Sequence, residues 1–300
     1  MRRAMLLLLG LVITGIFALS PSPLAFAHPH SGTGLSFVSL VHTATGANTY
    51  YNYTVLNEDT IFNDPDAEVF VTASWNPNNA CGCVYDTHAL MVWYFGNTWV
   101  ILHEDGTPLT LGATYNVFAT YAHHFNNSPQ DVSFVHIATA GNSVNGWTTL
   151  DESSVNYNPY AVIVVTHNWS PAGQSGGVFN VHQVGVWYDG SHWAIFNEDS
   201  APVPVGAAFN VYVVSTTASW AFTQRVTSTS YVDEIDNSYT NFQPGHLLFV
   251  TPNFDPAGNC PCAFDNHPLG VYYDFNHKWS VYHQDIASMT VDEAFNVYVV

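Results

Sequence analysis

Histidine recurs at regular spacing in this sequence, close to acidic or amide residues. One position of the pattern carries His88, His182 and His267, and a second position carries His103, Asn197 and His283. An imidazole beside a carboxylate can bind a metal ion or transfer a proton, because histidine titrates near neutral pH and is a common metal ligand. These residues are therefore the first candidates for ligand binding or for chemistry.

Asparagine interrupts this pattern and argues against a catalytic role. The residues two positions before the first set of histidines are Asp86, Asn180 and Asp265. A catalytic acid or a zinc ligand would not keep its role through a change to asparagine. We therefore expect these side chains to hydrogen-bond loop backbone, as in Asx turns. The aspartates that recur near strand ends should do the same: Asp105, Asp199 and Asp285.

Tryptophan also recurs at one position, as Trp99, Trp193 and Trp279. An exposed indole offers a flat apolar face on which a sugar ring can stack. A buried indole would instead fill the core of each unit. We favour core packing and keep sugar binding as the alternative.

The four cysteines form two close pairs, Cys81 with Cys83 and Cys260 with Cys262. The corresponding place in the middle of the chain is Ser175-Gly176-Gly177, so both members of a pair are absent together. This predicts a disulfide between near neighbours, as expected for an exported protein. Two alternatives stay open, since four cysteines allow three pairings: a bridge between the two pairs, and a thiolate metal site.

The N terminus has the pattern of a cleaved secretory signal. Two arginines precede an apolar run over residues 5–19, and a small-x-small site follows at residues 25–27. The run is shorter than the roughly 20 residues that span a bilayer, so a retained anchor is disfavoured. We predict a signal peptide over residues 1–27, a flexible tail over residues 28–35, and secretion to the extracellular space.

Cleavage after Ala27 would expose His28, followed by Pro29 and His30. An N-terminal amine and imidazole can chelate copper, as in the secreted oxidative polysaccharide enzymes that this end resembles at that point alone. Proline at the second position cannot supply a deprotonated amide nitrogen, which blocks the square-planar three-residue copper motif. His28 and His30 are therefore weak metal candidates.

The charge of the chain excludes two classes of partner. The sequence has 4 Lys and Arg against 23 Asp and Glu, a formal net charge of −19, and signal cleavage would remove two of the four cations. Nucleic acids and anionic membrane surfaces both attract clustered Lys and Arg. We therefore expect neither as a partner, and we expect no membrane span after signal cleavage.

Internal repetition is the strongest signal in the sequence. Asn116, Asn210 and Asn296 stand in related motifs 94 and 86 residues apart, and the recurring Trp, Asp and His positions follow nearly the same offsets. Several landmarks in one order and at one spacing indicate three copies of one unit. We place copy 1 at residues 36–119, copy 2 at 131–214 and copy 3 at 220–300.

Each copy breaks into short runs rich in β-branched and aromatic residues, separated by turn residues. The segment 186–196 reads as a hairpin closed over Asp189-Gly190. Short strands without a helical period predict an all-β protein of three tandem β-sandwich or small β-barrel domains, each with about six strands. Because each unit is as large as a domain, we expect it to have its own core. Because the connecting segments are short, we expect the three domains to form a compact row.

Copy 2 carries these motifs most completely, over residues 136–140, 166–171, 180–190, 193–199 and 206–211. The pattern resembles an uncharacterised family of secreted bacterial repeat domains of unknown function. The resemblance covers nearly all of the mature chain, and copy 3 departs from it where Gln224 replaces the early histidine. It implies a repeat architecture and carries no mechanism with it.

These observations favour a secreted, non-enzymatic extracellular protein that binds polysaccharide or another cell-surface polymer, or that is structural. The alternative is a secreted metal-dependent enzyme that uses the repeated His and Asp residues or His28. We expect no cofactor, although three acidic segments offer oxygen ligands to calcium without the spacing of a known calcium loop. Those segments are residues 63–66, 151–152 and 233–234.

Overall fold

A computed structural model describes residues 37–56, 60–121, 131–144, 146–174, 176–260 and 262–300 of the 300-residue chain. The predicted signal peptide and tail lie outside the described residues, as do His28 and His30. Copy 1 contains β1 (Phe37–Thr43), β2 (Thr49–Tyr50), β3 (Tyr53–Val55), β4 (Ala67–Ser74), β5 (Leu90–Phe95), β6 (Thr98–His103) and β7 (Thr114–Tyr121). Copy 2 contains β8 (Asp131–Ile137), β9 (Ser143–Val144), β10 (Trp147–Leu150), β11 (Val162–Asn168), β12 (Val184–Tyr188), β13 (Trp193–Asn197) and β14 (Ala208–Val214).

Copy 3 contains β15 (Ala221–Arg225), β16 (Val232–Ile235), β17 (Leu248–Pro252), β18 (Leu269–Tyr273), β19 (Trp279–His283) and β20 (Ala294–Val299). In the described part of the chain, four short 3-10 helices lie in loops, at Thr60–Asn63, Pro77–Asn79, Pro171–Gly173 and Pro256–Gly258. Within the described residues, no helix has the length and apolar character needed to cross a bilayer. The prediction of an all-β protein is confirmed.

Every copy is a sandwich of two antiparallel sheets. In copy 2 one sheet has the order β8-β14-β11 and the other has the order β9-β10-β13-β12. In β13, Trp193 and Ile195 enter the copy's own core and alternate with residues on the opposite face. This is the hairpin that the sequence predicted over Asp189-Gly190.

Three core clusters correspond to the three copies. Each is centred on the recurring tryptophan of the hairpin, which is fully buried, and on the apolar residues of the strand that carries the recurring asparagine. Each indole Nε1 donates a hydrogen bond to a loop carbonyl of its own copy, at Asp64, Asn158 or Gln243. The prediction that each copy has its own core is confirmed.

The copies are also joined to one another by parallel strand pairs. The hairpin strand β5 of copy 1 pairs with β11 of copy 2, and β18 of copy 3 pairs with β4 of copy 1. At the third junction a parallel bridge links Val186 of copy 2 to Asn253 of copy 3. Copy 1 therefore contacts copy 2, copy 2 contacts copy 3, and copy 3 returns to copy 1.

The recurring asparagines act at these junctions. Asn116, Asn210 and Asn296 are fully buried, and the side chain of each donates a hydrogen bond to a backbone carbonyl of the preceding copy in the cycle: to Leu248, Val69 and Ile163 respectively. One threonine side chain of each copy also accepts a hydrogen bond from that preceding copy. The threonines are Thr72, Thr166 and Thr251, and the donors are the backbone N–H groups of Val250, Val71 and Val165. The three asparagines therefore have equivalent surroundings.

A fourth apolar cluster is shared by all three copies. Phe118, Tyr212 and Tyr298 occupy one repeated position and contact one another, with ring centroids 4.6 to 5.7 Å apart. Phe70 and Phe249 pack around this triangle. The three copies thus form a closed ring with a common core, and the predicted row of domains is wrong. Residues that are hundreds of positions apart close the ring, which linker length alone does not reveal.

Candidate functional site

A histidine–aspartate pair recurs at the surface of each copy. Nδ1 of His88, His182 and His267 lies 2.7, 2.6 and 2.7 Å from Oδ2 of Asp105, Asp199 and Asp285. The hairpin explains the pairing, because the histidine lies just before its first strand and the aspartate just after its second, and the antiparallel register brings these two ends together. We call these three pairs the surface dyads.

The aspartate of each surface dyad is held by its own turn. Oδ1 of Asp105 accepts hydrogen bonds from the backbone N–H and the hydroxyl of Thr107. Partial burial would raise the pKa of Asp105, but the hydrogen bonds from Thr107 and His88 outweigh it and lower the pKa to about 2. Asp199 and Asp285 accept the equivalent backbone bonds from Ala201 and Ala287. The predicted Asx-type interaction of these aspartates is therefore present.

A second, buried pair lies behind each surface dyad. Nε2 of His103 lies 2.8 Å from Oδ1 of Asp86 in copy 1, and Nε2 of His283 lies 3.0 Å from Oδ1 of Asp265 in copy 3. In copy 2 the two partners are Asn180 and Asn197, joined by two amide hydrogen bonds of 2.7 and 3.0 Å. The two asparagine substitutions seen in the sequence are therefore one exchange of an ionisable pair for a neutral pair. Sequence spacing did not show that the two positions touch.

Two of the copies bring two histidines and an aspartate within 4.8 Å of one another: His88, His103 and Asp105, and His267, His283 and Asp285. The imidazole rings of each set are stacked, with centroids 4.5 Å apart and planes 26 to 27° from parallel. Stacked rings direct their nitrogen lone pairs along parallel planes instead of toward a common point. In copy 1 both nitrogens of His103 are also engaged, by Asp86 and Thr107. This geometry suits a hydrogen-bonded network better than a metal centre.

The surface dyads of copies 1 and 2 share a cavity of about 280 Å³, lined also by Asn266 and Pro268 of copy 3. A smaller cavity of about 80 Å³ is lined by residues of all three copies, among them Thr72, Thr166 and Thr251. We call the two together the axial cavities. Nδ1 of His167 lies 2.9 Å from Oε2 of Glu104 beside the smaller one. Burial raises the pKa of Glu104, an effect that His167 opposes.

Aromatic side chains gather at a different place, the outer surface of each junction. At each junction, the hairpin of one copy supplies some of the aromatic residues and a loop of the next copy supplies the others. The three clusters are Tyr53, Trp93, Trp169 and Phe179; Trp147, Trp187, Phe196, Phe254 and Phe264; and Trp75, Tyr85, Tyr272 and Tyr282. We call them the junction aromatic clusters. They alternate with core residues along the hairpin strands, so their positions follow the period of two that a strand imposes on its sequence.

One junction aromatic cluster encloses a pocket of about 230 Å³, between copies 2 and 3. It is lined by five aromatic residues together with Gly146, Asn197 and Ser200. At the equivalent position of the other junctions a tryptophan packs on the hairpin: Trp169 lies 4.9 Å from Trp93, and Trp75 lies 6.1 Å from Tyr272. Phe254 occupies this position between copies 2 and 3. The smaller ring leaves the space that forms the pocket.

The structure divides the remaining predicted site residues into buried and accessible ones. Trp99, Trp193, Trp279, His103 and His283 have no exposed surface. Their side chains fill the cores or the buried pairs, so they offer no surface to a ligand from outside. The surface-dyad histidines keep about a third of their side-chain surface exposed, from 29 to 35%. They remain available to a ligand.

The cysteines of each pair are neighbours within one loop. The Cα atoms of Cys81 and Cys83 are 4.9 Å apart, and those of Cys260 and Cys262 are 4.7 Å apart. Each sulfur atom lies against that of its near neighbour, so a bridge between copies 1 and 3 is wrong. The bond itself stays a prediction.

The predicted calcium ligands have partners of other kinds. Asp64 accepts a hydrogen bond from the backbone of Asp66, and Glu234 lies 2.7 Å from the ammonium group of Lys278. Among the described residues, these acidic segments form no cluster of three potential ligands. Calcium binding stays a prediction.

The fold and the junctions define a class of protein: a single chain of three β-sandwich repeats closed into a ring. The chain belongs to a family described as a domain of unknown function, DUF7452, whose profile matches residues 34–119, 121–213 and 214–299. The resemblance to an uncharacterised repeat family is thus confirmed. A search of curated proteins finds no match.

Proposed function

We propose that this protein is a secreted, non-enzymatic binding module that holds carbohydrate of a cell-surface polymer in the junction pocket between copies 2 and 3. The observation that carries the proposal is the pocket of about 230 Å³, lined by Trp147, Trp187, Phe196, Phe254 and Phe264. Aromatic faces stack well on the apolar faces of sugar rings. The N-terminal pattern over residues 1–27 supports secretion.

The geometry of the pocket indicates the size of its ligand. Trp147 and Trp187 meet edge to face at 5.3 Å, so they form two walls at 80° to each other. The volume is below the roughly 300 Å³ at which pockets for drug-sized ligands begin, which leaves room for a single ring. Ser200 supplies an exposed hydroxyl at one end, whereas the amide of Asn197 is buried and already bonded to Asn180. A terminal or branching sugar of a polymer fits this combination of apolar walls and a polar end.

The repeat arrangement supports binding to a polymer. All three junctions carry an aromatic cluster, although the other two are filled by Trp169 and Trp75. Weak contacts at several places on one rigid ring would add by multivalency when the ligand repeats along a chain. A polymer therefore suits this surface better than a free monosaccharide.

A metal-dependent enzyme is the less supported alternative. Each surface dyad already pairs its histidine with its aspartate, and the stacked imidazoles of copies 1 and 3 do not converge on one point. Binding is therefore the function that we propose.

A glycan array followed by calorimetry tests the proposal on the full secreted chain. Phe254→Trp installs the residue type found at the other two junctions and should fill the pocket, lowering affinity by at least about tenfold. The matched control is Trp169→Phe, which changes the equivalent position between copies 1 and 2 and should leave this pocket's affinity intact. Equal binding by wild type and Phe254→Trp would place the ligand elsewhere, and the absence of any bound glycan would defeat the proposal.

A further inference from the structure

Copy 3 gathers four buried ionisable side chains at its junction with copy 2. Asp265, His283 and Glu293 belong to copy 3, and Glu198 reaches them from copy 2. Each of the four is at most 2% exposed. Three carboxyl groups and one imidazole thus share a site from which water is excluded.

The donor atoms of this group converge. Nε2 of His283 lies 3.0 Å from Oδ1 of Asp265 and 3.7 Å from Oε2 of Glu293. Nδ1 of His283 lies 3.0 Å from the carbonyl oxygen of Ala287, a group that only accepts, so Nδ1 carries the hydrogen and donates it. In the neutral imidazole this leaves the lone pair of Nε2 directed toward the two carboxyl groups.

Several oxygen atoms in the group lack a hydrogen-bond donor. Oδ2 of Asp265, Oε2 of Glu293 and Oε1 of Glu198 are buried and have no hydrogen-bond partner among the described residues. The other oxygen of Glu198 accepts the backbone N–H of Asp265 at 2.9 Å. Buried carboxyl oxygens without a donor are costly unless a cation or a proton compensates them.

The equivalent places in the other copies are neutralised. Ala113 and Ala207 stand where copy 3 has Glu293, so neither of the other copies has the third carboxyl group. Gln284, an uncharged side chain, takes the position of Glu198 at the junction with copy 1, where its Oε1 accepts the backbone N–H of Asp86.

In copy 1 the residue equivalent to Glu198 is Glu104, and it has an imidazole partner. Its carboxylate pairs with His167, whereas the residue of copy 3 at the position of His167 is Pro252. Glu198 therefore faces copy 3 without the imidazole that its counterpart has. The surplus of carboxyl groups is specific to the junction of copies 2 and 3.

We propose that His283, Asp265 and Glu293 bind a divalent transition-metal ion such as zinc, with Glu198 beside it. Metal–ligand bonds of about 2.0–2.2 Å at tetrahedral angles put neighbouring donor atoms roughly 3.3–3.6 Å apart, and the observed 3.0 and 3.7 Å bracket that range. One imidazole and two carboxylates are ligands that zinc accepts. The proposal does not depend on the carbohydrate function.

The position of the site gives the ion a structural role. It would join the loop that holds Asp265, the end of β19 and the start of β20, with the carboxylate of copy 2 alongside. This junction has a single parallel bridge, whereas each of the other two has a paired register of two residues. Because the site is closed, the ion would enter as the ring folds, and binding would stabilise the folded chain.

The test is to unfold the full chain in chelator and refold it with zinc, then measure bound metal by mass spectrometry and the thermal midpoint of unfolding. Glu293→Ala introduces the residue found in the other two copies and should retain the fold. We expect wild type to hold one more zinc ion than Glu293→Ala after exhaustive dialysis, with an affinity at least about 100-fold higher, and a zinc-dependent rise in midpoint that the variant lacks.

Two double variants separate the site from its counterpart. Asp265→Asn with His283→Asn copies the neutral pair of copy 2 into copy 3 and should remove the same zinc ion. Asp86→Asn with His103→Asn makes the same change in copy 1 and should leave zinc content unchanged. Equal zinc content in wild type and Glu293→Ala would overturn the proposal, as would a loss of zinc with the copy 1 variant alone.

Discussion

Glu68 gives the most quantitative prediction about the stability of the ring. It lies on β4 with no exposed surface, and the equivalent residues of the other copies are Val162 and Leu247, both buried and apolar. Burial raises the pKa of Glu68 to about 8 from an ordinary 4.5, although a hydrogen bond with Ser133 opposes the shift. Glu68 is therefore protonated in the folded protein at neutral pH, whereas the unfolded chain ionises it.

The sign of the effect follows from this difference. Below pH 4.5 Glu68 is protonated in both the folded and the unfolded chain, so its ionisation does not change the free energy of unfolding. As pH rises from 4.5 toward 8, only the unfolded state loses the proton, so the free energy of unfolding falls by roughly 1.4 kcal/mol per pH unit. The accumulated cost is roughly 3 kcal/mol at pH 7 and roughly 5 kcal/mol above pH 9.

Glu68→Gln removes this cost while it keeps the shape of the side chain. We expect the variant to match wild type near pH 4, and to exceed its stability by roughly 3 kcal/mol at pH 7. Urea unfolding followed by tryptophan fluorescence across pH 4 to 9 measures the difference at each pH. Glu152→Gln, at a half-buried loop position, is the control and should show no such trend.

Two results would refute the reasoning about Glu68. If the stability curves of Glu68→Gln and wild type ran parallel from pH 4 to 9, the pKa of Glu68 in the folded state would be close to that in the unfolded chain. If the variant were less stable at pH 7, an ionised Glu68 would have to make a favourable interaction that burial does not suggest.

Three further changes test the cores, the junctions and the loops. Trp193→Ala should lower the free energy of unfolding in urea by about 3–5 kcal/mol, because it empties the centre of one core. A loss below about 1 kcal/mol would contradict that placement. Asn210→Ala should lower the free energy of unfolding by about 1–3 kcal/mol, because the buried carbonyl of Val69 loses the hydrogen bond from the Asn210 amide. Unchanged stability would show that the junction does not need this bond. Cys81 and Cys83 should resist alkylation until a reductant is added, and modification of the unfolded chain without reductant would show free thiols.

The repeats and their strands could be predicted because their signals are local. The motif around Asn210 occurs three times, and the Asp189-Gly190 turn fixes its hairpin. Burial of Trp193 also follows from the alternation of the strand. Each of these inferences needs only neighbouring residues or a comparison of one copy with the next.

The ring and its sites depend on contacts that cross the whole chain. Val71 of copy 1 donates to Thr166 of copy 2, 95 residues away, and nothing local in either segment marks the other as its partner. The exchange of an Asp–His pair for Asn180 and Asn197 looked like two separate losses, because sequence alone does not show that the two positions are bonded. The pocket at Phe254 likewise depends on how a ring of one copy meets the hairpin of another.

Closure of three copies within one polypeptide has a consequence for how such a protein can change. In a homotrimer of identical subunits, every substitution appears three times around the axis, so a cavity or a buried charge introduced at one interface is repeated at all of them. Here the chain holds a Phe254 pocket at one interface and tightly packed indoles at the other two. Because the three copies are fused in one chain, one interface can change its residues while the other two keep the packing that holds the ring together.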